Sequence, residues 1–407
     1  MKWLSKALVA CFFGGVVTEG YAAGFYLKEQ SIVSQGQAFA GVAAQSGLAS
    51  AAYFNPAGLS TIEQGTLESG FHWIEPDQKV ATDTDQQSPL STTLIPNLYW
   101  ATPVSADTVI GLGVNAAFGS DNEYDAGYFG SSDHIKGSLN VIDYTAAVGH
   151  QLSEQFRLGA AFYYQTLDVE QTKASGATQT ATLDGEADTL GFSLGLQYRT
   201  GGTTLGLSHR SGTEQDVVGT NTIVGAGGFS TGIYTASATM KLPAITALGV
   251  EHNVDDYTNL YLGVTRYDWS VYDSTTVTTR GIPQVDPFAS ITTNNYHDTT
   301  SFSFGINHQV RSDLELRGGV LFDPTPTNDT DRSYSTPDGD RTWLTMGASK
   351  IVDQSLIIDL ALSHIKVDPV EVNKPAGVKA RVDTTHNIIS IGPASESIFL
   401  DKTSIYY

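Results

Sequence analysis

Cysteine, positive charge and long apolar runs are all scarce in this sequence of 407 residues. Cys11 is the only cysteine and falls in a predicted signal peptide, so the mature chain is expected to lack disulfides, thiolate nucleophiles and cysteine-ligated metals. The sequence has 22 Lys and Arg and 43 Asp and Glu, and the resulting net charge of −21 argues against a nucleic-acid partner. There is no run of about 18 apolar residues, which excludes helical membrane spans.

The first 22 residues have the organisation of a secretory signal peptide. Lys2 and Lys6 precede an apolar stretch, and small residues at 20 and 22 suit cleavage before Ala23. The sequence from Leu8 to Cys11 also resembles a lipoprotein cleavage box, but the apolar stretch continues past the cysteine. Secretion without lipidation is therefore the favoured interpretation.

The sequence is rich in a two-residue alternation of apolar with small or polar residues. In 189–199, TLGFSLGLQYR, Leu190, Phe192 and Leu194 alternate with Gly and Ser. A period of two is that of a β-strand with one apolar face. Together with 41 Gly, 19 Tyr and 17 Phe along the chain, the alternation indicates an outer-membrane barrel.

Fourteen such segments can be counted between 66 and 392, joined by alternately short and long connections. Residues 153–155 form a short connection and residues 276–297 a long one. Outer-membrane barrels have the same alternation, with short turns on the periplasmic side and long loops on the extracellular side. The prediction is an all-β fold, a transmembrane antiparallel β-barrel of about 14 strands over 65–407. Closure of the barrel would leave no unpaired strand edge in lipid.

Residues 23–64 do not follow this alternation. They are rich in Gly, Ala and Ser, and Asn55-Pro56 has the composition of a turn. A barrel of about 14 strands has room inside for such a segment, so we predict an N-terminal plug, or hatch, in the lumen. A disordered periplasmic tail is the alternative, and the apolar content of the segment argues against it.

The stretch from Ala23 to Ser60 resembles the mature N-terminus of the FadL-type outer-membrane transporters of long-chain fatty acids and other hydrophobic molecules. Four features of that family occur here in order. They are Gly24-Phe25, Glu29-Gln-Ser31, Gly36-Gln-Ala-Phe-Ala-Gly41 and Asn55-Pro56-Ala57. The resemblance implies ligand capture at an extracellular apolar groove, transfer to a luminal pocket and lateral release near the third strand.

Weaker similarity covers most of the remaining chain. The sequence 111–119, GLGVNAAFG, looks like the third strand of the family. The resemblance implies a kink there that involves Gly111, Gly113, Phe118 and Gly119, and glycines would permit it because they have no side chains to pack.

The C-terminal end departs from the family. Family members usually finish on a strand with a terminal aromatic residue that the barrel-assembly machinery reads. Here PASESIFLDKTSIYY, residues 393–407, follows the predicted last strand, and Pro393 is a poor residue for a strand interior. We therefore expect 393–407 to be a divergent segment, either a shifted strand ending at Tyr407 or a tail.

Lumen-facing charge is the chemistry that the sequence offers. By strand parity Arg157 and Arg317 point inward, and a fatty-acid carboxylate in an apolar lumen needs a cationic partner. We expect these two arginines to bind the carboxylate. The alternative, in which they pair with acidic residues of the lumen and hold the wall together, stays open.

Catalytic and metal-binding patterns are weak. Gly191-Phe-Ser-Leu-Gly195 matches a hydrolase motif that needs a strand-to-helix turn, but it lies within an alternating strand. The nine His residues have no metal-site spacing, so neither a metal nor a cofactor is expected.

These features favour a non-enzymatic, passive transporter of hydrophobic molecules, first of all long-chain fatty acids, in the outer membrane of a Gram-negative cell. Aromatic or alkane hydrocarbons are the alternative cargo, and an outer-membrane hydrolase is the alternative of another class. Besides the ligand, the expected partners are outer-membrane lipid, lipopolysaccharide and the barrel-assembly machinery. We expect a monomer.

Overall fold

The fold was analysed in a computed structural model that describes residues 24–176, 178–283, 285–353, 356–373 and 378–396. The predicted signal peptide therefore lies outside the described residues. The strands are β1 (Thr66–Ala81), β2 (Gln86–Gln87), β3 (Thr93–Pro103), β4 (Thr108–Glu123), β5 (Lys136–Gln151), β6 (Phe156–Ala174), β7 (Gln179–Thr200), β8 (Thr203–Arg210), β9 (Thr213–Gly225), β10 (Gly232–Leu242), β11 (Ile245–Asn253), β12 (Thr258–Tyr267), β13 (Ser274–Arg280), β14 (Phe288–Thr293), β15 (Thr299–Arg311), β16 (Leu314–Asp323), β17 (Arg341–Ile351), β18 (Leu356–Val367), β19 (Val370–Val372) and β20 (Ala380–Glu396). The helices are α1 (Ile32–Gly36), α2 (Ala51–Phe54) and two 3₁₀ helices, Pro56–Thr61 and Trp269–Val271.

The strands form one closed antiparallel sheet. β1 pairs with β3 on one side and with β20 on the other, which closes the barrel. Fourteen wall strands result, because β8–β9, β10–β11, β12–β13, β14–β15 and β18–β19 each form one interrupted wall strand, while β2 pairs only with the outer end of β1. The predicted all-β barrel of about 14 strands is confirmed.

Apolar side chains face outward from the wall. On β7, Leu190 and Leu194 are 74% and 53% exposed, whereas Ser193 between them is buried. The same alternation runs through β12 and β15, where Leu262 and Phe302 face outward. An outward apolar belt is the face that a barrel presents to lipid. No helix in the described part of the chain is long and apolar enough to cross a membrane.

The segment before β1 lies against the inward face of this wall. Every residue from 24 to 45 is buried. α1 packs against β16, β17, β18 and β20, and the first 3₁₀ helix packs against β4, β5, β6 and β7 on another part of the wall. The segment thus contacts strands from widely separated parts of the wall.

The last strand runs further than the sequence predicts. β20 continues through Pro393 to Glu396, with Pro393 opposite Ile358 of β18. On the other side, the ladder with β1 is interrupted between the Glu68–Ala394 and Phe71–Ile391 pairs. Proline is tolerated because its missing N–H falls in this interruption. The first four residues of the predicted divergent segment are therefore strand, and 397–407 lie outside the described residues.

Candidate functional site

The Asn55-Pro56 turn is held by its own side chain and by the wall. Asn55 Nδ2 donates to the carbonyl of Ala43 at 2.5 Å and to those of Leu196 and Leu207, both at 3.3 Å. Asn55 Oδ1 accepts from the N–H of Ala57 at 3.1 Å, which caps the 3₁₀ helix that begins at Pro56.

Inward glycines of the wall make room for this turn. A Cβ on Gly195 would lie 1.8 Å from Asn55 Oδ1, and one on Gly159 would lie 2.2 Å from the N atom of Ala57. The predicted Asn55-Pro56-Ala57 motif therefore packs directly against Gly159 of β6 and Gly195 of β7.

The other motif residues also fix the segment to the barrel. Ser31 Oγ donates to Glu68 Oε1 at 2.8 Å, and Gly36 packs directly on Gly347 of β17. Gly24 and Gly41 have φ of 69° and 66°, a conformation that favours glycine.

Glu29 is a buried carboxylate in the same segment. Neither of its oxygens makes a hydrogen bond of normal geometry within the described residues. Burial raises the pKa of Glu29 to about 7, although neighbouring backbone amides and the charges of Arg341 and Lys28 oppose the shift.

The third wall strand, β4, separates from its neighbour midway along its length. β3 pairs with β4 only as far as the Asn97–Asn115 pair, and β4 has a register shift between Ala116 and Phe118. Such a bulge bends a strand. The separation follows from the end of the ladder rather than from glycine alone.

The N-terminal segment occupies the edge that β3 leaves free. Leu27 N donates to the carbonyl of Ala117 at 3.0 Å, and Gly119 N donates to the carbonyl of Phe25 at 2.9 Å. The predicted kink glycines face this segment or its surroundings: a Cβ on Gly111 would lie 3.1 Å from Leu59, one on Gly119 3.1 Å from Leu27, and one on Gly113 2.7 Å from Tyr99. Phe118 is buried, with its ring 6.0 Å from that of Phe25.

An apolar cavity of 180 Å³ lies in the outer half of the barrel. Phe25 forms its floor, with ring centroids 4.8 Å from Trp269 and 5.2 Å from Tyr272. Its apolar walls come from strands β5, β6, β7, β9 and β10 and include Leu139, Val169, Leu183, Val217 and Met240. We call this the apolar cavity.

A second cavity of 50 Å³ is lined by Tyr26 and by two cations, Lys28 and Arg210. We call it the basic cavity. Lys28 Nζ donates to the Tyr267 hydroxyl at 2.5 Å and lies 3.4 Å from Asp323 Oδ1. Burial lowers the pKa of Lys28, and the Asp323 carboxylate opposes that shift.

Arg210 is held between aromatic rings. Its guanidinium carbon lies 3.6 Å from the ring centroid of Tyr163 and 4.9 Å from that of Tyr53, and it forms an ion pair with Asp143. Stacking on aromatic faces leaves the edge of a guanidinium available for further hydrogen bonds. Phe39, Val42, Ile245 and Leu321 supply the apolar lining of the basic cavity.

The two predicted carboxylate ligands are buried as expected but do not line either cavity. Arg157 Nη1 donates to Ser46 Oγ at 3.1 Å and to Gln197 Oε1 at 3.3 Å. Arg317 pairs with Glu315 at 2.8 Å and lies 3.8 Å from Asp359. Their role as carboxylate ligands stays a prediction. Strand parity also points Arg210 inward but does not single it out among the other inward charges, and it cannot select Lys28, because Lys28 lies outside the strands.

Two serines of the described residues, Ser193 and Ser390, bear on the alternative of a hydrolase. Ser193 lies within the continuous strand β7, so the hydrolase motif has no strand-to-helix turn. A second serine, Ser390, has its Oγ 2.8 Å from Nδ1 of the buried His72. Both atoms also lie 2.7 Å from Gln35 Oε1, which can only accept, so the Nδ1 of His72 carries a hydrogen and cannot act as a base toward the serine.

Comparison with known proteins places the chain in a family. The family model described as "Outer membrane protein transport protein (OMPP1/FadL/TodX)" matches residues 15–392. The long-chain fatty acid transport protein of Salmonella typhi is 21% identical, over 91% of this chain and 93% of its own length. Outer membrane protein P1 of Haemophilus influenzae is 24% identical, over 90% of this chain and 91% of its own length.

Two solved structures share the fold. A Pseudomonas aeruginosa FadL homologue has a TM-score of 0.82 at 18% identity, covering 92% of this chain and all of its own. The P. putida toluene transporter TodX has a TM-score of 0.74 at 18% identity, covering 94% of this chain and all of its own. Since the family match extends over nearly the whole sequence, the chain belongs to the OMPP1/FadL/TodX family of outer-membrane β-barrel transport proteins for hydrophobic compounds.

Proposed function

We propose that the protein carries long-chain fatty acids passively across the outer membrane, with the apolar cavity binding the hydrocarbon chain and the basic cavity binding the carboxylate. The observation that carries the proposal is the order of the two cavities along the lumen. Phe25 lines the apolar cavity, and the next residue, Tyr26, lines the basic cavity.

The carboxylate is the part of a fatty acid that resists transfer into an apolar lumen. A charged group loses its hydration there unless it meets a cation or hydrogen-bond donors. Arg210 has five N–H donors, and its ion pair with Asp143 uses Nη2. A ligand carboxylate would share this guanidinium with Asp143, with Lys28 as the second cation of the cavity.

We propose that residues 23–64 act as a hatch and that release is lateral, between β3 and β4. The Phe25–Leu27 segment bonds to β4 where β3 leaves it, so it stands in the path from the cavities to lipid. Movement of these residues would open the path without disturbing the wall ladders. Passive diffusion then suffices, and no catalytic group is required.

The test compares an acid with the matching alcohol in purified full-length protein. Arg210→Gln with Asp143→Asn removes one of the two cations of the basic cavity without leaving a buried unpaired carboxylate. We expect oleate binding to weaken by about tenfold or more, since a hydrogen bond to a charged group contributes about 1.5–3 kcal/mol. Oleyl alcohol binding should change by less than about twofold.

The matched control is Arg341→Gln with Asp338→Asn, which removes another buried ion pair that lies outside both cavities. It should leave binding of both probes unchanged. Equal weakening by the two double variants, or a weakening of oleyl alcohol as large as that of oleate, would contradict the carboxylate site. Tight binding of toluene with no binding of oleate would instead identify hydrocarbons as the cargo.

A further inference from the structure

The barrel wall is interrupted between β10 and the chain that leads into β13. β10 pairs with β13 only through residues 235–238 and 277–280. Residues 239–242 have no ladder partner on that side within the described part of the chain, although their other side pairs fully with β9. Regular pairing of this wall strand resumes between β11 and β12 at Ile245 and Tyr267.

The interruption arises because the chain after β12 turns into the lumen. The 3₁₀ helix Trp269–Val271 replaces strand here, and Trp269 is fully buried against Phe25. A 3₁₀ backbone does not have the extended conformation that the hydrogen-bond ladder of the wall requires, so the ladder stops here. The gap is thus a direct consequence of how the apolar cavity is built.

A depression of 670 Å³ lies at this interruption of the wall. It shares four lining residues with the apolar cavity, namely Val217, Ser237, Ala238 and Tyr272. Its outer rim consists of outward-facing residues of β9, β10 and β13, such as Thr239 and Thr276. The depression therefore adjoins the apolar cavity at these four residues, and we call it the wall opening.

The wall opening lies at the outer edge of the lipid-facing belt. Leu248 of β11 and Leu262 of β12, which lie toward the short-turn side, are outward and 56% and 52% exposed. At the opening, most outward positions are polar, such as Thr239 and Thr276, and Lys241 pairs with Glu214 at 3.6 Å. A change from apolar to polar outward residues marks the boundary of the hydrocarbon layer.

We propose that the wall opening is a side portal through which neutral hydrophobic molecules and weakly polar amphiphiles pass between the outer leaflet and the apolar cavity. This rests on the proposed function and adds a second lateral path, on a different part of the wall from the separation of β3 and β4. Val218 and Val271 give the rim apolar contacts for a hydrocarbon.

The charge of the rim selects against anions. Asp216 and Asp273 line the opening beside a single cation, Lys241, which Glu214 already pairs. Like charges repel an approaching carboxylate, and the low dielectric of a membrane edge strengthens the repulsion. A fatty-acid anion would therefore reach the apolar cavity from the extracellular end, whereas a neutral molecule can use the portal.

The test measures how fast a neutral and an anionic probe reach the cavity in full-length protein in lipid nanodiscs. N-phenyl-1-naphthylamine is the neutral probe and cis-parinaric acid the anionic one, and the saturable part of the energy transfer from protein tryptophans reports bound probe. Thr239→Phe with Thr276→Phe narrows the wall opening from β10 and β13 without adding a tryptophan and without changing a residue that lines the apolar cavity. A barrier in the passage slows association and dissociation of the neutral probe together, by about fivefold or more, and leaves its Kd within about threefold.

The matched control is Ala236→Phe, since Ala236 lies three residues before Thr239 on β10 and lines the apolar cavity but not the wall opening. It should weaken the equilibrium binding of the neutral probe and slow its association less than Thr239→Phe with Thr276→Phe does. Val271→Ala widens the wall opening and should speed both rates for the neutral probe, while the anionic probe should keep its wild-type rates in both wall-opening variants.

The outcomes separate the two proposals. Saturable binding to wild-type protein with unchanged neutral-probe rates in both Thr239→Phe with Thr276→Phe and Val271→Ala would overturn the portal and leave the proposed function standing. Equal slowing of the neutral and the anionic probe would also overturn it, because the passage would then serve the extracellular route. A wild-type protein that binds neither probe would overturn both proposals.

Discussion

Replacement of Glu29 by Gln should make the stability of the protein less dependent on pH. Glu29 is fully buried, and burial raises its pKa from 4.5 to about 7. A carboxyl group whose pKa is raised in the folded state stabilises the fold when it is protonated. That contribution is fully present below about pH 4.5 and is lost as the pH rises through about 7.

The size of the effect follows from the shift. One pKa unit corresponds to about 1.4 kcal/mol, so the rise from 4.5 to about 7 is equivalent to about 3 kcal/mol. Glutamine has nearly the same shape and no charge at any pH. The free energy of unfolding of Glu29→Gln relative to wild type should therefore increase by about 3 kcal/mol between about pH 4 and about pH 8.

Urea titrations of the purified protein in lipid vesicles, at a series of pH values, would measure this difference. A constant packing penalty of the new amide cancels, because only the change with pH is compared. Glu63→Gln, which removes an exposed carboxylate from the same segment, is the control and should give a difference below about 0.5 kcal/mol at every pH. A difference between Glu29→Gln and wild type that stays constant across the pH range would refute the reasoning.

The remaining predictions concern the packing of the hatch against the wall and the last strand. Gly195→Ala places a methyl group against Asn55 and should increase protease cleavage within the hatch, whereas Gly318→Ala, where a Cβ meets only one atom at 3.8 Å, should not; equal cleavage in both would contradict the packing argument. Truncation after Gly392 removes ladder pairs with β1 and β18 and should reduce the yield of heat-modifiable, folded barrel more than truncation after Glu396. Equal yields of the two truncations on gel electrophoresis would show that residues 393–396 do not contribute to closure.

Strand parity predicted the wall well because it depends only on neighbouring residues. The alternation at Leu190, Phe192 and Leu194 is a local property, and the outward belt follows from it. The same parity correctly pointed Arg157 and Arg317 inward. It could not say which acidic partner they would meet across the sheet, since Asp359 approaches Arg317 through the pairing of strands β16, β17 and β18. Glu315, two residues before Arg317 on β16, is a neighbour on the same face of the strand.

For the hatch motif, the sequence predicted the turn but not the residues of the wall that contact it. Asn55 and Pro56 indicate a turn from their residue types alone, but the wall glycines that receive it are about 100 or more positions away in the sequence. The basic cavity was harder still, because it brings Lys28 from the hatch and Arg210 from β8 to one place. The break of the wall beside β10 depends on where Trp269 packs, and a sequence pattern does not contain that information.

The most direct test of the central claim is the uptake of radiolabelled oleate by cells that lack their own transporter and express this protein. Surface expression must be matched, and cells carrying the empty vector give the background. Uptake well above background, reduced by Arg210→Gln with Asp143→Asn and unaffected by Arg341→Gln with Asp338→Asn, is the result that the proposed function predicts. Background uptake of oleate by well-inserted wild-type protein would contradict it.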